Sequence, residues 1–480
     1  MGGLVLGMRN EGDRERLYIE DDDFHSLIIG ATRSGKSRHI VLPTIGALGL
    51  AGESMIISDP KGELYQYTYP FLKRLGYNVY AIDFRNPLKS DEYNFLQPVI
   101  DAVDRDDIPA AIEATWDITA TLVGEAKGER IWRDGEASTI AAAIMAVVFE
   151  NRHEDMKMFQ NMTNVYYFIA KMTRTINKSM PIIEFMKELP ESHPAKALIA
   201  ISEIAPEKTR GSFYTAALTT LRLFTSPSIN VMTNKTAYNP RDLGSGKNAV
   251  FIILPDEKTT YYSLASLLVS QHYEQLVKAA DERGGRLKNR INFILDEFGN
   301  FTQISDFSTK LTVAGGRGMR FNLFIQSFSQ LEEKYNKEVA RTIRANCENW
   351  IYLRAGDDET REVLSKRLGN YTTSSYSQST SHGKYSNPNS SHSMNLMARP
   401  LLTPEEIARI ERPYTLLFSN KYPAIMNLPD LSQWHFNKMF GLGDKAFNII
   451  IRKKREKTRK TKEINMDSME LWGIWNFYED

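Results

Sequence analysis

The stretch Phe24-His25-Ser26-Leu27-Ile28-Ile29-Gly30-Ala31-Thr32-Arg33-Ser34-Gly35-Lys36-Ser37 decides the fold. It begins as a buried strand of branched apolar residues and ends at Gly30. Residues 30–37 fit G-x-x-x-x-G-K-[ST], a loop whose glycines let backbone N–H groups turn inward around phosphate. The apolar pattern from Lys36 onward predicts a helix, whose positive N-terminal end adds to the anion site. Lys36 is expected to neutralise the β- and γ-phosphates and Ser37 to ligate Mg²⁺. Gly30, Thr32, Arg33, Ser34, Gly35, Lys36, Ser37 and Arg38 form the expected ATP-binding set.

A phosphate loop needs a metal-orienting carboxylate at the end of a neighbouring strand. Residues 291–297, Ile-Asn-Phe-Ile-Leu-Asp-Glu, supply it. Asp296 is expected to hold the Mg²⁺ water shell and Glu297 to activate the attacking water. The same two acids also read as an ordinary pair at a helix start.

Outward from these two motifs, apolar runs at 55–58, 79–83, 249–254, 321–326 and 350–353 read as further buried strands. Helical periodicity at 261–281 and 307–314 lies between them, the spacing of a parallel α/β sheet. Residues 4–30 read as two strands around an acidic turn. From about 100 to 232 only helical windows occur, which predicts an all-α insertion. The expected organisation is a discontinuous nucleotide-binding domain (1–102 and 233–440), an all-α domain (103–232), a flexible polar loop or polar hairpin (371–395) with nine Ser in 25 residues, and a basic tail (441–480).

The 480 residues carry a net charge of +1. Residues 452–462 hold eight basic side chains and one acid, so the rest of the chain is close to −6. A bulk positive field is excluded, and nucleic acid, if bound, must meet a local patch. The tract is expected to remain extended and to meet DNA or an anionic lipid surface. A single cysteine, Cys347, excludes a disulfide framework and cysteine-based metal sites. The longest apolar run, 140–149, is half a bilayer span.

No Asn-Lys-x-Asp or Leu-Ser-Gly-Gly-Gln motif occurs, which speaks against a GTPase or an ABC transporter. Instead several blocks together resemble the VirD4/TraG-type coupling ATPases of type IV secretion, in a form typical of Gram-positive mobile elements. They are residues 25–37, Ser58-Asp59-Pro60-Lys61-Gly62-Glu63, Leu295-Asp296-Glu297-Phe298-Gly299, Gly315 to Gly318 with Ile325 to Leu331, and Arg399 to Ile407.

The resemblance implies a RecA-like P-loop NTPase domain with a parallel-rich sheet, interrupted by an all-α domain. It implies ATP hydrolysis with Mg²⁺, coupled to passing single-stranded DNA with an attached relaxase toward a secretion channel. It further implies a homo-hexamer when active, monomeric in isolation, contacts with channel and accessory proteins, and a place in the cytoplasm at the inner face of the cell membrane. Family members carry N-terminal membrane helices. This chain starts just ahead of the nucleotide domain, so it is expected either to be shortened or to be recruited by a membrane partner.

By the same resemblance Gln326 senses the γ-phosphate and Arg317 reaches a neighbouring subunit's ATP as an arginine finger. From the residues alone, Gln326 also reads as a capping side chain and Arg317 as a solvated loop charge. Asp59 reads either as a residue orienting Lys61 or the nucleotide, or as a plain Asp-Pro-x-Gly turn. The insertion is expected to face the substrate, with Lys196, Lys208 and Arg210 as basic candidates. Two other readings are a duplex DNA pump of the FtsK/HerA type and a nucleotide-gated adaptor with little turnover. ATPase rates with and without single-stranded DNA separate the three.

Overall fold

The computed structural model describes residues 2–12, 14–124, 129–175, 180–381, 389–419, 422–463 and 469–478. Thirteen strands occur among them. They are β1 (Leu4–Glu11), β2 (Arg14–Glu20), β3 (His25–Gly30), β4 (Ser54–Asp59), β5 (Asn78–Asp83), β6 (Asn248–Ile253), β7 (Ile291–Leu295), β8 (Met319–Ile325), β9 (Cys347–Arg354), β10 (Asn370–Ser381), β11 (Asn389–Pro400), β12 (Tyr414–Phe418) and β13 (Ala424–Asn427).

Nine strands form one sheet in the order β13-β12-β9-β3-β8-β7-β4-β6-β5. The seven from β9 to β5 are parallel, and β12 and β13 close one edge antiparallel. The apolar runs of β3, β4 and β7 are continuous because both faces are covered. Leu27, Ile29, Ile56 and Leu295 enter one core, while Ile28, Met55, Ile57 and Ile294 enter another on the opposite face.

Between β5 and β6 the described residues are helical or loop, from the helix Gln97–Asp104 to the helix Pro227–Thr233. The helix Arg130–Glu150 is apolar all round over 140–148, each of these side chains fully buried, so it is the axis about which the others pack. These helices share one continuous core with the sheet face of Leu27 and Leu295.

Two expectations are corrected. Residues 4–30 hold three strands, because 4–20 fold back as the β1–β2 hairpin. Within 371–395 the hairpin reading holds: β10 and β11 pair in register over twelve residues, from Asn370↔Pro400 to Ser381↔Asn389. Backbone pairing there needs no apolar face, which is why composition alone left loop and hairpin both open; residues 382–388 lie outside the described residues. The basic tract does not run extended over 452–458. Those residues continue the helix Lys445–Thr458, whose apolar residues begin before the charges do.

Beyond that helix, Arg459 Nη1 pairs with the buried Asp83 at 2.9 Å, and Lys462 Nζ pairs with Glu92 at 2.9 Å. Further along, the Trp472 ring stacks on Phe168 with centroids 5.7 Å apart, and Tyr478 donates to Glu188 at 2.6 Å. The C-terminal segment thus contacts both the sheet domain and the helices Met162–Met172 and Pro181–Glu188. Among the described residues no helix is long and apolar enough to cross a membrane.

A phosphate loop facing a carboxylate pair

β3 delivers the chain to Gly30 at the carboxyl edge of the sheet. A Cβ on Gly30 would lie 2.5 Å from Ser34 Oγ and 2.7 Å from Lys36 Cγ, so only glycine lets the loop fold over itself. Gly35 has φ +92° and Arg33 φ +64°, both in the left-handed region that points successive N–H groups to one side. A wide turn, Ser37–Val41, then leads into the helix Leu42–Ala51.

Lys36 is 6% exposed. Its Nζ donates to Gly30 O at 2.7 Å and to Glu297 Oε1 at 3.0 Å. Ser37 Oγ donates to Asp296 Oδ2 at 3.3 Å. Gln326, directly after β8, donates from Nε2 to Glu297 Oε2 at 2.9 Å and accepts from Thr32 Oγ1 at 3.3 Å. β3, β8 and β7 are adjacent in the sheet, so three separated motifs meet at one edge.

Glu297 itself has φ +53° and ψ +40°, a left-handed backbone costing a non-glycine residue about 1 kcal/mol. That turn lets its N–H bond to Asp296 Oδ1 at 3.0 Å and sets the two carboxylates differently. Asp296 is buried, and burial, with Glu297 beside it, pushes its carboxyl up to about 6. Ser58 Oγ donates to Asp296 O at 2.8 Å, tying β4 to this pair. Asp59, next along, is fully buried, and burial raises it to about 7 although Tyr65 N donates to its Oδ2 at 2.8 Å.

The loop fits a nucleotide phosphate on its own geometry. Ser34 Oγ is buried with no hydrogen-bond partner, and an anionic oxygen in the cradle would satisfy it. The N–H groups, Lys36 and the helix start supply positive potential there. Ser37 and Asp296 are the hard oxygen donors a Mg²⁺ ion takes.

Two expected residues lie apart from this cluster. Arg38 is held by Asp430, just after β13, Nε to Oδ2 at 2.7 Å and Nη2 to Oδ1 at 2.8 Å. Arg317 precedes β8, whereas Gln326 follows it; seven strand residues at about 3.3 Å each put them roughly 23 Å apart. Arg317 Nη2 pairs instead with Asp281 at 3.0 Å. In the insertion, Lys196 is taken by Glu191 at 2.8 Å.

Gln330 lies in the block Ile325 to Leu331, but the sequence alone assigns it no role. Its side-chain oxygen accepts from Gln326 N at 2.8 Å, and Gly299 is small because a Cβ there would meet that oxygen at 2.3 Å. A second glutamine one helical turn after Gln326 was the available signal.

A family model described as type IV secretory system conjugative DNA transfer matches residues 3–428. The chain is 25% identical over 413 residues to the protein VirD4 of Agrobacterium fabrum, covering 84% of this chain and 57% of that one. It is 25% identical over 433 residues to the conjugal transfer protein TraG of Escherichia coli, covering 86% and 66%. The chain thus spans little more than half the length of VirD4. The solved bacterial conjugative coupling protein TrwBdeltaN70 is similar with a TM-score of 0.63 and 18% identity, covering 87% of each chain. TrwB has also been solved with the non-hydrolysable ATP analogue ADPNP and with ADP and Mg²⁺. The likeness shows a shared fold, the RecA-like P-loop arrangement expected from the sequence.

Proposed function

Since the chain belongs to the type IV secretory system conjugative DNA transfer family, we propose that it is the ATP-driven coupling protein of a conjugation machine. It hydrolyses ATP and uses the energy to pass single-stranded DNA with an attached relaxase to a type IV secretion channel. The observation carrying this reading is the convergence of Lys36, Glu297 and Gln326 on one another beside Ser37 and Asp296. A docking adaptor needs only the phosphate cradle. A polar glutamate in a costly left-handed turn, gripped by a lysine and a glutamine, is what a hydrolysing site requires.

In this reading Gly30, Thr32, Arg33, Ser34, Gly35, Lys36 and Ser37 hold the nucleotide, and Ser37 with Asp296 hold Mg²⁺. The metal, when bound, supplies charge neutralisation of the phosphates. Lys36 exchanges its Glu297 partner for phosphate. Glu297, released from Lys36 yet kept in place by Gln326, accepts the proton of the attacking water at its carboxylate. Arg317 lies far from its own subunit's site, so its finger role needs a ring of subunits, here taken as a hexamer. The helical domain of about 103–232 faces the substrate, and the assembly works at the inner face of the cell membrane, held there by a membrane segment or partner.

Phosphate release by purified protein, measured alone, with single-stranded DNA and with duplex DNA, tests this. Stimulation chiefly by the single strand supports it. Stimulation by duplex alone favours a duplex pump, and binding without turnover favours an adaptor.

A further inference from the structure

The carboxyl ends of β4, β6 and β5 border a second cavity, of about 590 Å³, and none of its lining residues belongs to the phosphate loop or the Asp296–Glu297 pair. Among the described residues its wall carries the cations Lys61, Arg85, Lys89, Lys258 and Arg459 against two carboxylates, Asp83 and Glu257. Asp83 is already taken by Arg459 at 2.9 Å. Among the described residues, Lys61, Lys89 and Lys258 have no carboxylate within ion-pair distance. A concentration of unpaired cations at one concave site repels itself and is relieved by a polyanion.

The wall is also aromatic. Tyr261 lies half-buried over Phe84, ring centroids 5.5 Å apart and 23° from parallel. Cations spaced along a cavity beside a flat ring suit a ligand with repeated phosphates and accessible base faces, which is single-stranded nucleic acid. A duplex keeps its base faces stacked inside. A lone phosphate would use a fraction of the space and none of the ring.

The cavity is built by parts distant in sequence. Arg459 comes from the C-terminal segment and donates to Lys89 O at 2.6 Å and 2.9 Å, fixing the 83–89 loop. Lys61 follows Ser58 and Asp59, and Ser58 bonds the Asp296 carbonyl. The segment 58–62 therefore joins this cavity to the carboxylate pair of the nucleotide site.

We propose that this cavity holds a stretch of single-stranded nucleic acid, its phosphates against Lys61, Lys89 and Lys258 and a base on Tyr261, with Arg459 completing the wall. The proposal deepens the nucleic-acid half of the function above and does not depend on hydrolysis.

The test is binding of a fluorescein-labelled 12-nucleotide oligo-dT to the full chain at several salt concentrations, with ADP affinity measured alongside. The site variant is Lys89→Glu/Lys258→Glu, and the charge-matched control is Lys337→Glu/Lys366→Glu, two exposed lysines on other helices. The site variant should weaken oligo-dT binding at least about tenfold and lower the log–log salt slope by about 1.4, the release expected from two phosphates on a single strand. The control should change affinity less than about twofold, and ADP affinity should hold in both. If the site variant loses ADP binding, Lys89→Gln/Lys258→Gln replaces it with the same readout. A site variant indistinguishable from the control overturns the cavity assignment alone. No oligo-dT binding by the wild type overturns it together with the nucleic-acid reading of the function. Displacement by polyglutamate at equal charge overturns it in favour of an acidic peptide.

Discussion

Lys36 Nζ lies 3.0 Å from Glu297 Oε1, so the phosphate-binding cation and the carboxylate expected to activate water neutralise one another. Each holds the other out of service, and a nucleotide phosphate must compete with Glu297 for Lys36. Glu297→Gln removes that competitor while keeping the shape. It should bind ADP and ATP two- to tenfold more tightly than the wild type by calorimetry or a fluorescent nucleotide. Lys36→Ala should lose at least about tenfold in affinity, because the cradle keeps its N–H groups but loses its cation. Equal affinities in wild type and Glu297→Gln would show that the pair exerts no hold.

Gln326 touches Glu297 through Nε2 and Thr32 through its side-chain oxygen. In the account above it positions the carboxylate rather than the phosphate cradle. Gln326→Ala should leave nucleotide affinity within about twofold and lower kcat about tenfold or more. Gln326→Glu, which sets a second carboxylate against Glu297, should lower kcat further. A change confined to KM would remove Gln326 from the positioning role.

Asp296 is buried, and burial lifts it to about 6 from 3.8. The folded chain thus favours the protonated acid, and the wild type loses stability as pH rises through about 4 to 6. Asp296→Asn has no charge to bury and keeps an acceptor for Glu297 N. Without nucleotide it should be more stable than the wild type at pH 8, by up to about 3 kcal/mol, with the gap narrowing toward pH 4. It should also lose Mg²⁺-dependent tightening of nucleotide binding. Denaturant melts at pH 5 and pH 8 check the first point, and a gap that widens toward low pH would contradict it.

Much of this was open to reading in the chain. Gly30 and Asp296 sit at ends of continuous apolar runs, and local sterics leave a glycine loop after such a strand few other shapes. The register that brings Gln326 onto Glu297 was not legible, because β8 and β7 become neighbours only through sheet order. Edge strands β12 and β13 escaped notice since short segments between turns carry a weak period-two signal. The docking of Arg459 onto Asp83 was hidden in a charge run, whose composition says nothing of which single residue finds a buried partner. Arg38 enters the ATP-binding set by its adjacency to the motif, and the sequence does not show that Asp430 holds its side chain.

Arg317 stands at the far end of β8 from the cluster, beside Asp281. A finger acting within its own subunit is ruled out by that separation, so activity should rise with assembly. Arg317→Ala and Glu297→Gln proteins, each slow alone, should recover part of wild-type turnover when mixed, because some interfaces then pair an intact finger with an intact glutamate. Absence of recovery at any ratio, with assembly verified by light scattering, would make Arg317 a surface charge.

Glu297 is proposed to serve hydrolysis and not merely the fold. Single-turnover phosphate release, with ATP binding confirmed beforehand in wild type and Glu297→Gln, tests it most directly. Glu297→Gln, saturated with ATP and Mg²⁺ and given single-stranded DNA, should release phosphate at least about tenfold more slowly than wild type. Release at the wild-type rate would contradict it.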